Sequence, residues 1–194
     1  MELLENETEL VGKLCERLLL EEDKKPNTQL SILDIGCGTG KLAIHLNEVT
    51  GGEVTAIDPV HERIATAKQK AHTNEVAFEV QSAEKLNFAD ETFDVVVSLK
   101  ALHEMTNIWD TLQESLRVLK VGGKIIVIDW IGGVAGTRSH SHAKKYFAME
   151  SKAHATKYFT MKRLEDELSK AGFAKVRVEA NKECELMLAE GDKT

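Results

Sequence analysis

The chain has 194 residues, 42% of them hydrophobic and 29% charged, with a formal net charge of −7. That length supports one domain, 1–194, with a well-filled core, and no apolar run approaches the ~18 residues of a membrane span. The negative balance argues against nucleic-acid binding through phosphate neutralisation, and the acidic start Met1–Glu7 is unlike a signal peptide.

Asn6 to Leu20 reads as a helix with one apolar stripe (Leu10/Val11, Leu14/Cys15, Leu18/Leu19) and a capping box formed by Asn6 and Glu9. Glu21 to Gln29 is a polar linker. Strands and helices then alternate: strands over Leu30–Ile35, Glu53–Asp58, Val76–Gln81, Phe93–Ser98 and Gly123–Trp130, helices over Lys41–Val49, His61–His72 and Asn107–Leu119. The alternation predicts a doubly wound α/β domain with helices on both faces of a mostly parallel sheet. Asp94–Val97 and Ile125–Ile128 read as doubly covered strands. After the core, 30–130, comes an insertion, 131–159. A helix from Met161 stopped by Gly172 follows, then closing strands Phe173–Val178 and Cys184–Leu188.

The most informative segment is Leu33-Asp34-Ile35-Gly36-Cys37-Gly38-Thr39-Gly40, a turn between the first strand and the next helix. Glycines there permit a tight turn and let a nucleotide-like ligand approach the backbone. Asp58 ends the second strand, where a carboxylate can hold a ribose diol. A dinucleotide fingerprint, G-x-G-x-x-G, would need glycine at Lys41, but the third glycine comes one residue early, at Gly40. A ligand-free turn is the bland alternative, and three glycines weaken a turn they do not serve.

The pattern D-x-G-x-G-x-G with Asp58 beyond it resembles the class I S-adenosylmethionine-dependent methyltransferases. Ser82–Phe88, Phe93–Ser98, Ala101–Glu104 and Glu114–Gly123, in that order, extend the likeness, which is nearest to the ubiquinone and menaquinone methyltransferase group. The resemblance implies a seven-stranded sheet and S-adenosylmethionine as cofactor. It places Gly36, Cys37, Gly38 and Gly40 along the methionine moiety, with Asp34 supporting the loop. Asp58 and Pro59 would lie at the ribose, Ser82, Ala83 and Glu84 at the adenine, and Ser98 near the reacting centre. Where the family commonly has Asp, this chain has Ser82, which forgoes a charge-assisted contact to the adenine amine.

Lys100 stands where the family has small or apolar residues. It would either pair with an anionic group of cofactor or substrate or point to solvent. His103 is the candidate general base, with a helix-start packing role as the alternative. The motif of exocyclic-amine methylases is missing after Val97, so an oxygen, carbon, sulfur or simple nitrogen acceptor is expected. The insertion 131–159 would form a lid whose Tyr146 and Phe147 contact substrate. From Arg138 to Arg163 it and the following helix carry seven basic residues against one acid, Glu150. That stretch suits an anionic small molecule, an RNA or acidic partner protein, or solvent alone.

The expected function is methyl transfer to a small molecule. Its alternatives are a macromolecular methyltransferase that needs a partner subunit, and a non-catalytic S-adenosylmethionine-binding regulator. An activator protein or a homo-oligomer is compatible with either enzyme reading. Cys15, Cys37 and Cys184 lack C-x-x-C spacing, so no metal site is expected, and three unpaired thiols point to the cytoplasm. Cys37 reads as filler for the glycine loop before it reads as a nucleophile.

Overall fold

The computed structural model describes residues 3–23, 28–71, 76–132, 158–183 and 185–194. Its elements in chain order are α1 (Glu5–Asp23), β1 (Ser31–Ile35), α2 (Lys41–Thr50), β2 (Glu53–Asp58), α3 (His61–Lys70), β3 (Val76–Val80) and β4 (Phe93–Leu99). A short 3-10 turn, Leu102–Glu104, leads into α4 (Ile108–Val118) and β5 (Leu119–Trp130). The chain closes with α5 (Met161–Ala171), β6 (Ala174–Ala180) and β7 (Leu186–Asp192).

The seven strands form one sheet in the order β3-β2-β1-β4-β5-β7-β6. β1 through β5 pair in parallel, and β7 inserts antiparallel between β5 and β6. The expected mostly parallel, doubly wound sheet is therefore present.

Period-two alternation sends neighbouring residues of each central strand into different cores. Ile32, Val95, Val97, Ile126 and Ile128 face a cluster built with α1, α2 and α3. Leu33, Ile35, Val96, Ile125 and Val127 face a second cluster with α4 and α5. Burial on both sides explains why these strands read as unbroken apolar runs.

Some boundaries differ from the sequence expectation. The Asn6/Glu9 capping box does not form; Glu7 Oε2 instead accepts from the Leu4 amide at 2.8 Å, and Asn6 Nδ2 donates to Glu185. Glu7 is drawn inward by two lysines, which sequence spacing could not register. β5 begins at Leu119, not Gly123, because Phe93 already pairs with Leu119 before a register shift in the β4–β5 ladder. β7 runs on to Asp192 because its edge partners β5 and β6 extend that far. Asn107 does cap α4, its Oδ1 accepting from the Asp110 amide, and Gly172 ends α5 with φ +108°. Cys184 and most of the insertion, 133–157, lie outside the described residues, and so do Tyr146 and Phe147.

β1 is flanked by β2 on one side and β4 on the other, so chain order reverses between β1 and β4. In open α/β sheets the ligand crevice lies outside the carboxyl ends of the strands at such a switch point. Most of the groups discussed next sit at the carboxyl ends of these strands.

Candidate active site

The loop after β1 turns three times through the left-handed region, with φ of +71° at Gly36, +55° at Gly38 and +79° at Gly40. The three glycines serve different purposes. A Cβ on Gly36 would stand 2.5 Å from Ala101 Cβ, and one on Gly40 would stand 2.8 Å from the Phe78 ring. Both are packed against the protein itself. A Cβ on Gly38 would meet nothing within 4 Å. Of the three, Gly38 alone combines the left-handed backbone with open space, which is the cradle a ligand needs.

Asp58 holds this cradle. It is buried, and its Oδ2 accepts from the Gly38 amide at 3.0 Å while Oδ1 accepts from the Val60 amide at 2.9 Å. An ionised carboxylate offers about four lone-pair sites, so acceptor capacity remains for a diol. Arg63 Nη1 lies 3.6 Å from Oδ2. The Cys37 amide donates to Ile57 O, and its thiol is packed in the core, where burial and the charges of Asp34 and Asp58 push its pKa up. Cys37 fills the loop as expected, and a thiol held protonated is a poor nucleophile.

Asp34, 1% exposed, lies on the same strand face as Ile32, beneath the first turn of α2. Neither carboxylate oxygen has a hydrogen-bond partner among the described residues. Burial, with a smaller contribution from the Asp58 charge, pushes its pKa up to about 8. The Ala43 amide offsets part of this without a hydrogen bond of normal geometry. Ser98, fully buried near the end of β4, likewise leaves its Oγ unpartnered. Orphaned buried polar atoms cost free energy unless a ligand or water meets them. An open glycine, an acceptor-rich carboxylate and two orphaned polar side chains fit a cationic nucleoside ligand.

The adenine-side candidates form a turn. Ala83 is buried and Ser82 is exposed, its Oγ accepting from the Glu84 amide at 3.3 Å. Glu84 Oε1 accepts from the Asn107 amide at 2.8 Å, and Pro59 is exposed beyond Asp58.

Beyond β4 the structure brings together groups that sequence reasoning kept apart. Lys100 does not point to solvent. Its Nζ pairs with Glu7 of α1 and lies 5.3 Å from the centroid of the Trp130 ring. Its backbone is left-handed, φ +53°, with the amide donating to Ile128 O at 2.6 Å.

His103 is buried, and its Nδ1 lies 2.6 Å from Asp129 Oδ1. Asp129 Oδ2 accepts from the His103 amide at 3.0 Å, and Oδ1 also accepts from the Trp130 amide. Nε2 lies 3.2 Å from Glu104 Oε1, and the imidazole packs against Tyr158 with centroids 4.9 Å apart. Burial alone would lower the His103 pKa, but the Asp129 bond and charge, with those of Glu104, outweigh it and raise it. A carboxylate on Nδ1 fixes the tautomer whose Nε2 can take a proton. The insertion leaves and re-enters beside this pair, because Ile131 bridges Phe159 and the Gly132 amide donates to Phe159 O.

Asp129 and Glu7 were missed by sequence reasoning. Asp129 was detectable as the one charge in the run Ile125–Trp130. Nothing local marks Glu7 among the acids of α1.

Residues 33–127 match the family described as a methyltransferase domain. The chain is 34% identical over 104 residues to the 27-O-demethylrifamycin SV methyltransferase of Amycolatopsis mediterranei, covering 52% of this chain and 38% of that protein. It is 32% identical over 126 residues to the demethylmenaquinone methyltransferase of Chlorobaculum parvum, covering 65% of this chain and 50% of that protein. The chain thus spans about half the length, or less, of these relatives. The crystal structure of an S-adenosylmethionine-dependent methyltransferase from Aquifex aeolicus superposes with a TM-score of 0.70 at 20% identity, covering 96% of this chain and 98% of that one. That likeness carries the fold. No helix among the described residues is long and apolar enough to cross a membrane.

Proposed function

We propose, for a chain that belongs to the class I S-adenosylmethionine-dependent methyltransferases, that it moves a methyl group from S-adenosylmethionine to the hydroxyl oxygen of a small-molecule acceptor. The observation that carries the choice of oxygen is the buried His103–Asp129 pair at the carboxyl ends of β4 and β5. A hydroxyl is a poor nucleophile until a base removes its proton, and His103 Nε2 is that base once the exposed Glu104 carboxylate beside it gives way to the acceptor. Asp129 holds the ring and stabilises the imidazolium that forms.

S-adenosylmethionine, when bound, supplies an electrophilic methyl group and departs as a neutral thioether. The protein supplies position. Gly38 leaves room for the ligand backbone, and Asp58 accepts from the ribose hydroxyls. Asp34 and Ser98 offer unpaired polar atoms to the methionine end and the reacting centre. Holding acceptor and donor in line in a dry site contributes ~7–11 kcal/mol to such a reaction. The name of the rifamycin relative, which specifies an oxygen, is in keeping with this reading. Residues 1–194 form one methyltransferase unit on this reading. The buried thiols of Cys15 and Cys37 suit the reducing cytoplasm.

Calorimetric titration with S-adenosylhomocysteine and NAD, followed by mass spectrometry of hydroxylated acceptors incubated with S-adenosylmethionine, tests the proposal. Homocysteine-nucleoside binding and products heavier by one CH2 are expected. A preference for NAD would overturn it, and cofactor binding without any methylated product would point to a regulator.

A further inference from the structure

Glu7 lies in the first turn of α1, outside the alternating core, yet it is 1% exposed. Its Oε2 pairs with Lys41 Nζ and its Oε1 with Lys100 Nζ, while the Leu4 amide donates to Oε2 at 2.8 Å. Lys41 opens α2 directly after the glycine loop, and Lys100 directly follows β4. The two ammonium groups therefore stand at the carboxyl ends of β1 and β4, and Glu7 bridges them. Lys100 reaches this position from a left-handed backbone, φ +53°, a strained arrangement for a residue with a Cβ that persists only where the surroundings impose it.

The remainder of α1 is fixed. Leu10, Val11, Leu14 and Leu18 are fully buried in the core shared with α2 and β7, whereas Leu4 is 54% exposed. The first turn is held by less: Leu3 packs against the edge of that core only partly buried, and Leu4 is turned to solvent. Two largely covered cations, each with a side chain 20% exposed, against one carboxylate leave that spot net positive, so it still attracts an anion. Glu7 does not leave without cost, because two largely covered ammonium groups would lose their shared counter-charge. It can leave in exchange for another carboxylate.

We propose that Lys41 and Lys100 form a carboxylate-binding subsite that Glu7 occupies as an internal stand-in. An entering amino-acid carboxylate displaces Glu7 and releases the first turn of α1. The inference rests on the methyltransferase reading, since S-adenosylmethionine and S-adenosylhomocysteine both carry such a carboxylate beside the nucleoside. Glu7 also caps the Leu4 amide, so its departure removes the cap together with the ion pairs, and the turn frays.

The test compares S-adenosylhomocysteine with 5′-methylthioadenosine, which keeps the nucleoside and lacks the amino-acid end. Glu7→Gln should raise affinity for S-adenosylhomocysteine by about tenfold, and Lys100→Met should lower it by about as much, with methylthioadenosine affinity within about twofold in both. In the unmodified protein, amide hydrogen exchange over residues 3–8 should quicken with S-adenosylhomocysteine and stay unchanged with methylthioadenosine. That readout holds even if a variant folds poorly. Equal shifts for both ligands, or slower exchange of the first turn on S-adenosylhomocysteine binding, would overturn the displacement. Failure of both nucleosides to bind any form would instead remove the methyltransferase reading, and this inference with it.

Discussion

Gly38 and Asp58 are joined by one hydrogen bond, from the Gly38 amide to Asp58 Oδ2 at 3.0 Å, which ties the loop after β1 to the end of β2. The carboxylate proposed to hold a ribose thus also fixes the backbone of the loop on which the nucleoside would rest. Substitutions at the two ends of this bond separate those roles. Asp58→Ala leaves the amides of Gly38 and Val60 without their acceptor, so it should cost roughly 2–3 kcal/mol of stability and weaken nucleoside binding as well. Gly38→Ala places a methyl group in open space, so its stability loss should stay near the ~1–2 kcal/mol of a left-handed alanine while affinity falls steeply. Denaturant melts paired with calorimetry check both. Full nucleoside affinity in Gly38→Ala would show that the cradle lies elsewhere.

Asp34 makes the stability of the free protein depend on pH. Its carboxyl holds a proton up to about pH 8 when folded, against an ordinary value of 3.8. Between those values folding takes up a proton, so stability falls as pH rises through the window, by on the order of 3–5 kcal/mol. Asp34→Asn should abolish this slope and be the more stable protein at pH 8. Urea midpoints at pH 5 and pH 8 decide the matter, and parallel pH dependence in the two proteins would remove Asp34 as its source.

A cationic ligand should reverse the state of that carboxyl. At pH 7 the free protein carries Asp34 protonated, and a positive group beside it favours the ionised form. Binding of S-adenosylmethionine should then release about one proton per site. Titrations in buffers of different ionisation enthalpy count that proton, and Asp34→Asn should lose it.

On the proposed mechanism His103 sets the acid limb of activity. Burial works against its charge, but Asp129 and Glu104 prevail, so the imidazole titrates above 6.5. The charged pair stabilises the fold below that pH and is lost as pH rises through the folded value, whereas the base function appears over the same rise. kcat/KM should therefore increase with pH through a value above 6.5. Asp129→Asn should move that limb to lower pH and reduce kcat, and His103→Gln should cost about 10²–10⁴-fold with a hydroxyl acceptor. A pH profile unchanged by Asp129→Asn would assign the pair to packing.

The sequence alone was enough for the α/β alternation, the limits of β2, and the stop of α5 at Gly172, because these follow from local periodicity and caps. The glycine loop and Asp58 were legible too, since a tight turn and a strand-ending acid are written in consecutive residues. Tertiary structure decided which glycine faces open space, since Gly36 is crowded by Ala101 and Met105 and Gly40 by Phe78 and Ala67, all far along the chain, while Gly38 is not. It likewise decided that Asp129 meets His103 across 26 positions, and that Glu7 reaches Lys41 and Lys100 from a helix whose other acids share its composition. Periodicity reports which face of an element is buried; which charge lies opposite it depends on sheet order, which brings β1, β4 and β5 side by side.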